Sequence, residues 1–455
     1  MTVALQRRTP KVYTLDEVKE HCSKGDCWVV VEDSVYDLSK WIGHHPGGEL
    51  PILYMAGREC TDVFKAFHPA WVFTKKLPAF KIGKLDDTRK EKKETSLSED
   101  FEKLRQEIIE GGGLQTNYWF YIRLASMLAL LFASIIYCVV FSNNVYIQVA
   151  AGILVAVFWQ QMAFIGHDAG HHAIFHDEQW DDRLGLVVGN LLTGVSIGWW
   201  KKSHNAHHVV TNSVELDPDI QHLPVLAVTD KFFNSIKSIY HDRVMHFDGL
   251  AKFFVRYQHH LYFLIMGLAR FNLYAQSFLL VLSKERVKLR VMEFVTMVLF
   301  WTWYLTLCSY LPTWSTRFAF VFLAHFLAGI IHIQITLSHF SMETYNGLPL
   351  DAFKENRFLL SQMDTTMDIE CDPNLDFFHG GLQFQFEHHL FPRVARQNLR
   401  SIQEKMKLLC KKHGLPYRSK SFVDANIEVI QCLKDTAEKS KCFSPKIWDS
   451  VHCIG

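Results

Sequence analysis

Residues 119–141, WFYIRLASMLALLFASIIYCVVF, and 145–165, VYIQVAAGILVAVFWQQMAFI, decide the fold. Each is a run of apolar side chains long enough, as a helix, to cross a hydrocarbon layer about 30 Å thick. Only Ser142, Asn143 and Asn144 lie between the runs, so they form a tight hairpin. A second pair is expected at roughly 293–312 and 317–337, joined by PTWST around residue 314. The stretch 252–283 is apolar but interrupted by Arg256, His259, His260 and Arg270. It reads as an interfacial or re-entrant segment, with a buried core helix as the alternative.

The composition agrees with this reading. Hydrophobic residues make up 49% and charged residues only 21%, so a soluble chain would need an unusually apolar core. A net charge of +1 gives no basic footprint for a nucleic acid. The ten cysteines include no CxxC pair, and the N-terminal segment has no apolar core of a cleavable signal. Free thiols facing the cytosol are therefore expected. The C-terminal SVHCIG is neither a prenylation box nor an ER-retrieval tetrapeptide. The chain divides into a small domain at 9–84, a charged linker and polar helix at 85–117, a membrane domain at 118–442 and a tail at 443–455.

Twenty-four histidines are present, and their clustering matters more than their number. HDAGHH (167–172) follows the second apolar run directly, with His167 and His171 four apart on one helical face. HNAHH (204–208) places His204, His207 and His208 at i, i+3 and i+4. QFEHH (385–389) repeats those offsets with Gln385, His388 and His389. If the N-terminal domain is cytosolic, counting crossings puts all three groups on that side, and KERVKLR (284–290) agrees with the positive-inside rule. Imidazoles beside a membrane are costly unless paired or metal-bound, and seven exceed what one ion takes. Two metals are implied. Iron, zinc and copper all accept imidazole, and the spacing does not choose among them.

The small domain supplies the context that does. HHPGGE (44–49) is followed by His68 in DVFKAFHP, which gives two imidazoles on separate elements with Val63, Phe64 and Phe67 nearby. That is what a six-coordinate b-type haem needs. WVVVEDSVYDLSKWIGHHPGG resembles the core of cytochrome b5, whose pattern assigns axial ligation to His45 and His68. A one-electron carrier in the same chain favours a redox metal over zinc, and tethering raises the donor's effective concentration near its acceptor.

Over nearly its whole length the chain resembles the front-end desaturases, membrane di-iron enzymes with an N-terminal cytochrome b5 domain. HPGG, HDAGH, SIGWWKKSHNAHH, DPDIQHLP and FHGGLQFQFEHHLFP carry the resemblance, and HGLPYRS (413–419) fits the plant-type group of Δ8 sphingolipid and Δ6 acyl-lipid enzymes. The resemblance implies a small α+β haem domain followed by an all-α membrane domain with about four transmembrane helices and interfacial helices. It implies metal ligation by His167, His171, His204, His207, His208, His388 and His389, completed by His339. Gln385 stands where front-end enzymes carry glutamine, and His379 and His172 are further possible ligands. Where the family usually reads Asn-His, Ser338 precedes His339. Asp168 and Glu387 are expected to orient imidazoles, and Trp199 and Trp200 to wall a lipid channel or anchor at the interface.

The implied cofactors are haem b, two irons and O2, with electrons ultimately from NADH through cytochrome b5 reductase. The implied site of action is the cytosolic face of the endoplasmic reticulum. Δ8 desaturation of a sphingoid long-chain base is favoured over Δ6 desaturation of an 18-carbon acyl group. A lipid hydroxylase and a non-enzymatic haem protein are readings from other classes.

Overall fold

A computed structural model describes residues 11–86, 96–347 and 357–442. The expected tail at 443–455 lies outside them, as do residues 87–95 of the charged linker.

The first unit is built on six short strands, β1 (Val12–Tyr13), β2 (Cys22–Ser23), β3 (Asp26–Val31), β4 (Ser34–Asp37), β5 (Arg58–Glu59) and β6 (Lys81–Leu85). The path β1-β6-β4-β3-β2 carries β5 alongside β3. The β-branched run CWVVV makes β3, which pairs antiparallel with β4 across the turn that the sequence announces. Three helices cover this sheet: α1 (Leu15–Glu20), α2 (Glu49–Met55) and α3 (Thr61–Phe67). Thr14 and Glu17 close a capping box on α1, satisfying amides that the helix start leaves without partners.

Next comes α4 (Ser96–Glu110), the expected polar helix. It is not merely solvated, because Phe101, Leu104 and Ile108 are buried against Phe391, Leu399 and Met406. Their i, i+3, i+7 spacing is a narrow apolar stripe that the surrounding charges hide in the sequence.

The membrane domain begins with α5 (Tyr118–Val140) and α6 (Val145–Gly170), each capped by an asparagine, Asn117 and Asn144, at its start. After α7 (Glu178–Gly185) and α8 (Ile197–Val209) come α9 (Gly249–Leu282), α10 (Arg290–Ser309), α11 (Trp314–Ala328) and α12 (Ile330–Leu337). The remainder is α13 (Arg357–Thr365), α14 (Asp376–His379), α15 (Gln385–Leu390), α16 (Leu399–Lys412) and α17 (Phe422–Cys442).

Among the described residues, five helical stretches are long and apolar enough to cross a membrane: α5, α6, α9, α10 and α11–α12. Contacts separate α9 from the other four. Near its start, Ala251 and Val255 pack with Val214 and Phe340, beside the histidine groups. Near its end, Ser277 Oγ accepts from the backbone amide of Ser196, whose hydroxyl caps α8, and Glu285 just beyond it pairs with Lys202 of α8. Both ends therefore lie on the histidine side. The segment is one unbroken helix of 34 residues, not a re-entrant loop, and it returns to the face from which it starts. Leu250, Phe253, Tyr257, Leu264, Leu268 and Phe271 stay exposed along one of its faces, as an in-plane amphipathic helix requires. The crossings are then α5, α6, α10 and α11–α12. No disulfide links the described cysteines.

Candidate metal centre and haem pocket

Helix periodicity brings the three histidine groups to one place. His167 is on the last turn of α6 and His171 caps it; α8 carries His204, His207 and His208; α15 carries His388 and His389. His339 follows the end of α12. Two clusters result. One nitrogen each of His167, His171, His204 and His388 lies within 4.8 Å of the others, and the same holds for His207, His339 and His389. His208 stands between the clusters. Its Nε2 is 3.0 Å from His204 Nε2 and 3.1 Å from His388 Nε2, and its ring stacks on His389 at 4.1 Å.

The outer nitrogens are committed. His207 Nδ1 donates to Asp217 Oδ2 at 2.9 Å, His389 Nδ1 to Gln362 Oε1 at 2.8 Å, and His339 Nδ1 to the Thr365 carbonyl at 3.1 Å. This leaves Nε2 facing inward on all three. Nε2 of His167, His171 and His207 is buried without a partner in the protein. Nitrogens about 3 Å apart match two ligands at roughly right angles around an ion with bonds of about 2.1 Å. Burial, reinforced by neighbouring imidazoles, keeps His171, His208, His388 and His389 well below the ordinary imidazole range, so their lone pairs are free for a metal. Burial likewise lowers His204 to about 3. His207 is the exception: burial opposes its charge, but the Asp217 and Asp219 carboxylates outweigh it and raise the ring to about 9.

Gln385 lies in the second cluster. Its Nε2 is 3.0 Å from His339 Nε2 and 3.2 Å from His389 Nε2. An amide thus occupies the helical position that an imidazole holds in HNAHH.

Other expected residues lie elsewhere. His172 turns away at φ 55, and Lys201 Nζ donates to its Nε2 at 3.1 Å. His379, at the end of α14, packs against Phe378 and Phe422 and joins neither cluster. Asp168 accepts from Tyr121 at 2.8 Å and pairs with Arg396 at 3.4 Å, while its closest approach to His167 is 3.8 Å. Glu387 accepts from Tyr417 at 2.8 Å. Neither carboxylate orients an imidazole as expected: each is adjacent in sequence but projects from a different helical face.

The residues that do so are Asp217, Gln362 and the Thr365 carbonyl. Of these, only Asp217 left a signal, in the motif DPDIQHLP. Ser338 Oγ is buried with no hydrogen-bond partner. Trp200 lies against the first cluster, with its ring 4.4 Å from His204 and 5.4 Å from His167. Gly170 makes room for it, because a Cβ there would sit 2.0 Å from Trp200 Cζ3.

In the N-terminal unit, His45 and His68 face each other with ring centroids 5.8 Å apart. His45 Nδ1 donates to the Gly48 carbonyl at 2.8 Å and His68 Nδ1 to Phe64 at 3.0 Å, so both Nε2 atoms point into the gap. Phe64 stacks on His68 at 4.3 Å. Burial, with His45 adding to it, lowers His68 to about 4. Two neutral, oriented imidazoles spaced for a single iron fit a haem with two histidine ligands.

Comparison with known proteins gives two family matches. Residues 143–421 match the family described as fatty acid desaturase, and 14–86 match the cytochrome b5-like heme/steroid binding domain. A Delta(8)-fatty-acid desaturase of Helianthus annuus is 42% identical, covering 95% of this chain and 92% of its own. An acyl-lipid (9-3)-desaturase of Borago officinalis is 40% identical over 98% of this chain and 99% of its own. A Delta 8-(E)-sphingolipid desaturase of Emericella nidulans is 33% identical over 90% and 92%. Among solved structures, the cytochrome b5 of Ostreococcus tauri virus 2 is 39% identical, covering 16% of this chain and 94% of its own, at a TM-score of 0.16.

Proposed function

The chain belongs to the fatty acid desaturase family, as a multi-pass membrane oxidoreductase with a fused haem domain, and from that premise we propose that it is a front-end desaturase acting at Δ8 of sphingoid long-chain bases. The observation that carries the reading is the pair of histidine clusters, three of whose Nε2 atoms are buried without partners.

His167, His171, His204, His208 and His388 would hold one iron, and His207, His339 and His389 the other, with Gln385 at the second. When bound, the irons supply the O2-reactive redox chemistry needed to take hydrogen from an unactivated methylene. Asp217, Gln362 and the Thr365 carbonyl hold Nδ1 and aim Nε2 inward on the second group. Trp200 covers the first group and limits water there. His45 and His68 would hold the haem, fed from NADH by a cytochrome b5 reductase on the cytosolic face of the endoplasmic reticulum. An alkyl chain offers no polar handle near the reacting carbons, so position must come from holding the lipid's polar end and fixing its depth.

The Borago relative favours a second reading, Δ6 desaturation of an acyl lipid. Expression in yeast, with long-chain bases and acyl chains both profiled, separates the two. A new double bond confined to long-chain bases supports the first, and one confined to acyl chains replaces it with the second. A product that gains oxygen identifies a hydroxylase. No product together with no iron beyond the haem refutes the desaturase assignment.

A further inference from the structure

Helix α8 has two working faces. His204, His207 and His208 point into the metal clusters, while the residues between and after them meet the haem domain. Asn205 Nδ2 donates to the Gly47 carbonyl at 3.2 Å, inside the turn that carries His45. Ala206, Val209 and Val210 are buried in one apolar cluster with Tyr54, Leu50, Met55, Val63 and Phe67 of the haem domain. Tyr54 adds a buried hydrogen bond, its hydroxyl donating to the Leu216 carbonyl at 3.1 Å. Farther out, Arg286 donates to the Gly43 carbonyl at 2.9 Å.

Phe67 is the innermost of these contacts. It immediately precedes His68, and its ring meets that of His208 edge-on with centroids 5.8 Å apart. His208 is the imidazole that bridges the two metal clusters.

We propose that α8 is the seat on which the chain's own haem domain docks, with Asn205 fixing the register and Phe67 positioning the His68 helix against His208. This rests on the desaturase reading for its purpose but not for its contact. With haem held by His45 and His68 and iron by the histidine clusters, the step would be a one-electron transfer that oxidises the haem from ferrous to ferric and reduces one cluster iron from ferric to ferrous. No bond forms or breaks, and an external reductant, dithionite in the assay, restores the haem. Phe67 and Asn205 are positioning residues in this step: neither binds a metal.

Two measurements on the full-length protein test it. Photo-activation of a Phe67→benzoylphenylalanine variant, in iron-loaded and iron-depleted protein, is expected to give an intrachain cross-link to the peptide spanning 197–216. Cross-links confined to other segments overturn the seat. In the second, dithionite-reduced haem is followed by stopped-flow absorbance on mixing with O2 and lipid substrate. Phe67→Ala and Asn205→Leu are expected to slow reoxidation about tenfold, because each loosens a contact that sets the approach of the haem domain to the clusters.

Haem content, iron content and midpoint potential should stay at wild-type values. Wild-type reoxidation in both variants overturns the positioning roles. If Phe67→Ala loses haem, Asn205→Leu still decides, since Asn205 lies outside the haem domain. If lipid does not accelerate reoxidation of the unmodified protein, the desaturase reading fails, while the cross-link still judges the seat.

Discussion

Asp217→Asn changes almost no volume and removes one acceptor. In the native chain Asp217 is fully buried, and Oδ2 accepts from His207 Nδ1 at 2.9 Å and from the Asn212 amide at 2.6 Å. Its Oδ1 accepts from the Asp219 amide at 2.8 Å. An asparagine oxygen can replace only one of these atoms. If it keeps His207 and Asn212, its NH2 group faces the Asp219 N–H, and a buried donor left without a partner costs about 1–3 kcal/mol. The two retained bonds lose their charge assistance, roughly 1 kcal/mol each.

The total, about 3–5 kcal/mol, falls mostly on folding of the 211–220 loop. The share reaching the metal follows from His207, which loses the anion that fixes its tautomer. Comparable outer partners are worth about 10–100-fold in metal affinity. The assay is chelator competition on purified protein, reading non-haem iron against free chelator, with Tm measured in parallel. Iron affinity and Tm both at wild-type values would refute the role given to this carboxylate.

Gln385→His, which would complete a histidine triplet like HNAHH, is expected to lower turnover about tenfold or more by placing an imidazole where the amide meets His339 and His389; unchanged product yield and double-bond position would count against it. Gly170→Ala should lower Tm by the equivalent of about 1–3 kcal/mol and loosen iron retention, because the new Cβ displaces Trp200 from the first cluster; thermal melts and iron analysis check it. Asp181 supplies a pH test. Burial raises its carboxyl to about 7 from 3.8, so the native state binds the extra proton between those values and its stability falls as pH rises through that window. Asp181→Asn, permanently neutral, should melt above wild type at about pH 8 and match it below about pH 4.

The histidine groups and the HPGG turn were legible because helical spacing and turn chemistry are local properties. His167, His171, His204, His207, His388 and His389 meet in two clusters as their offsets anticipate, with His208 between them. What spacing could not supply was the outer layer. Gln362 reaches His389 from another helix, and Asp168 looks like a partner to His167 only because it is adjacent in sequence. His172 and His379 look like ligands until backbone direction is known: a left-handed residue turns one away and a four-residue helix points the other at Phe422. Helix α9 misleads for a different reason. Its charges interrupt the apolar run in sequence, yet Arg270 satisfies itself inside the fold against the Thr193 carbonyl, Tyr274 and the Trp159 ring.

That helix has a further consequence. Beginning and ending on the same face, α9 behaves as a float, with the histidine platform tied to both of its ends. A platform held at constant draught reaches a constant depth below the lipid head groups, whatever length of chain trails beneath. On the proposed reading the double bond would be counted from the polar end of the lipid, and lengthening the tail should leave its position unmoved.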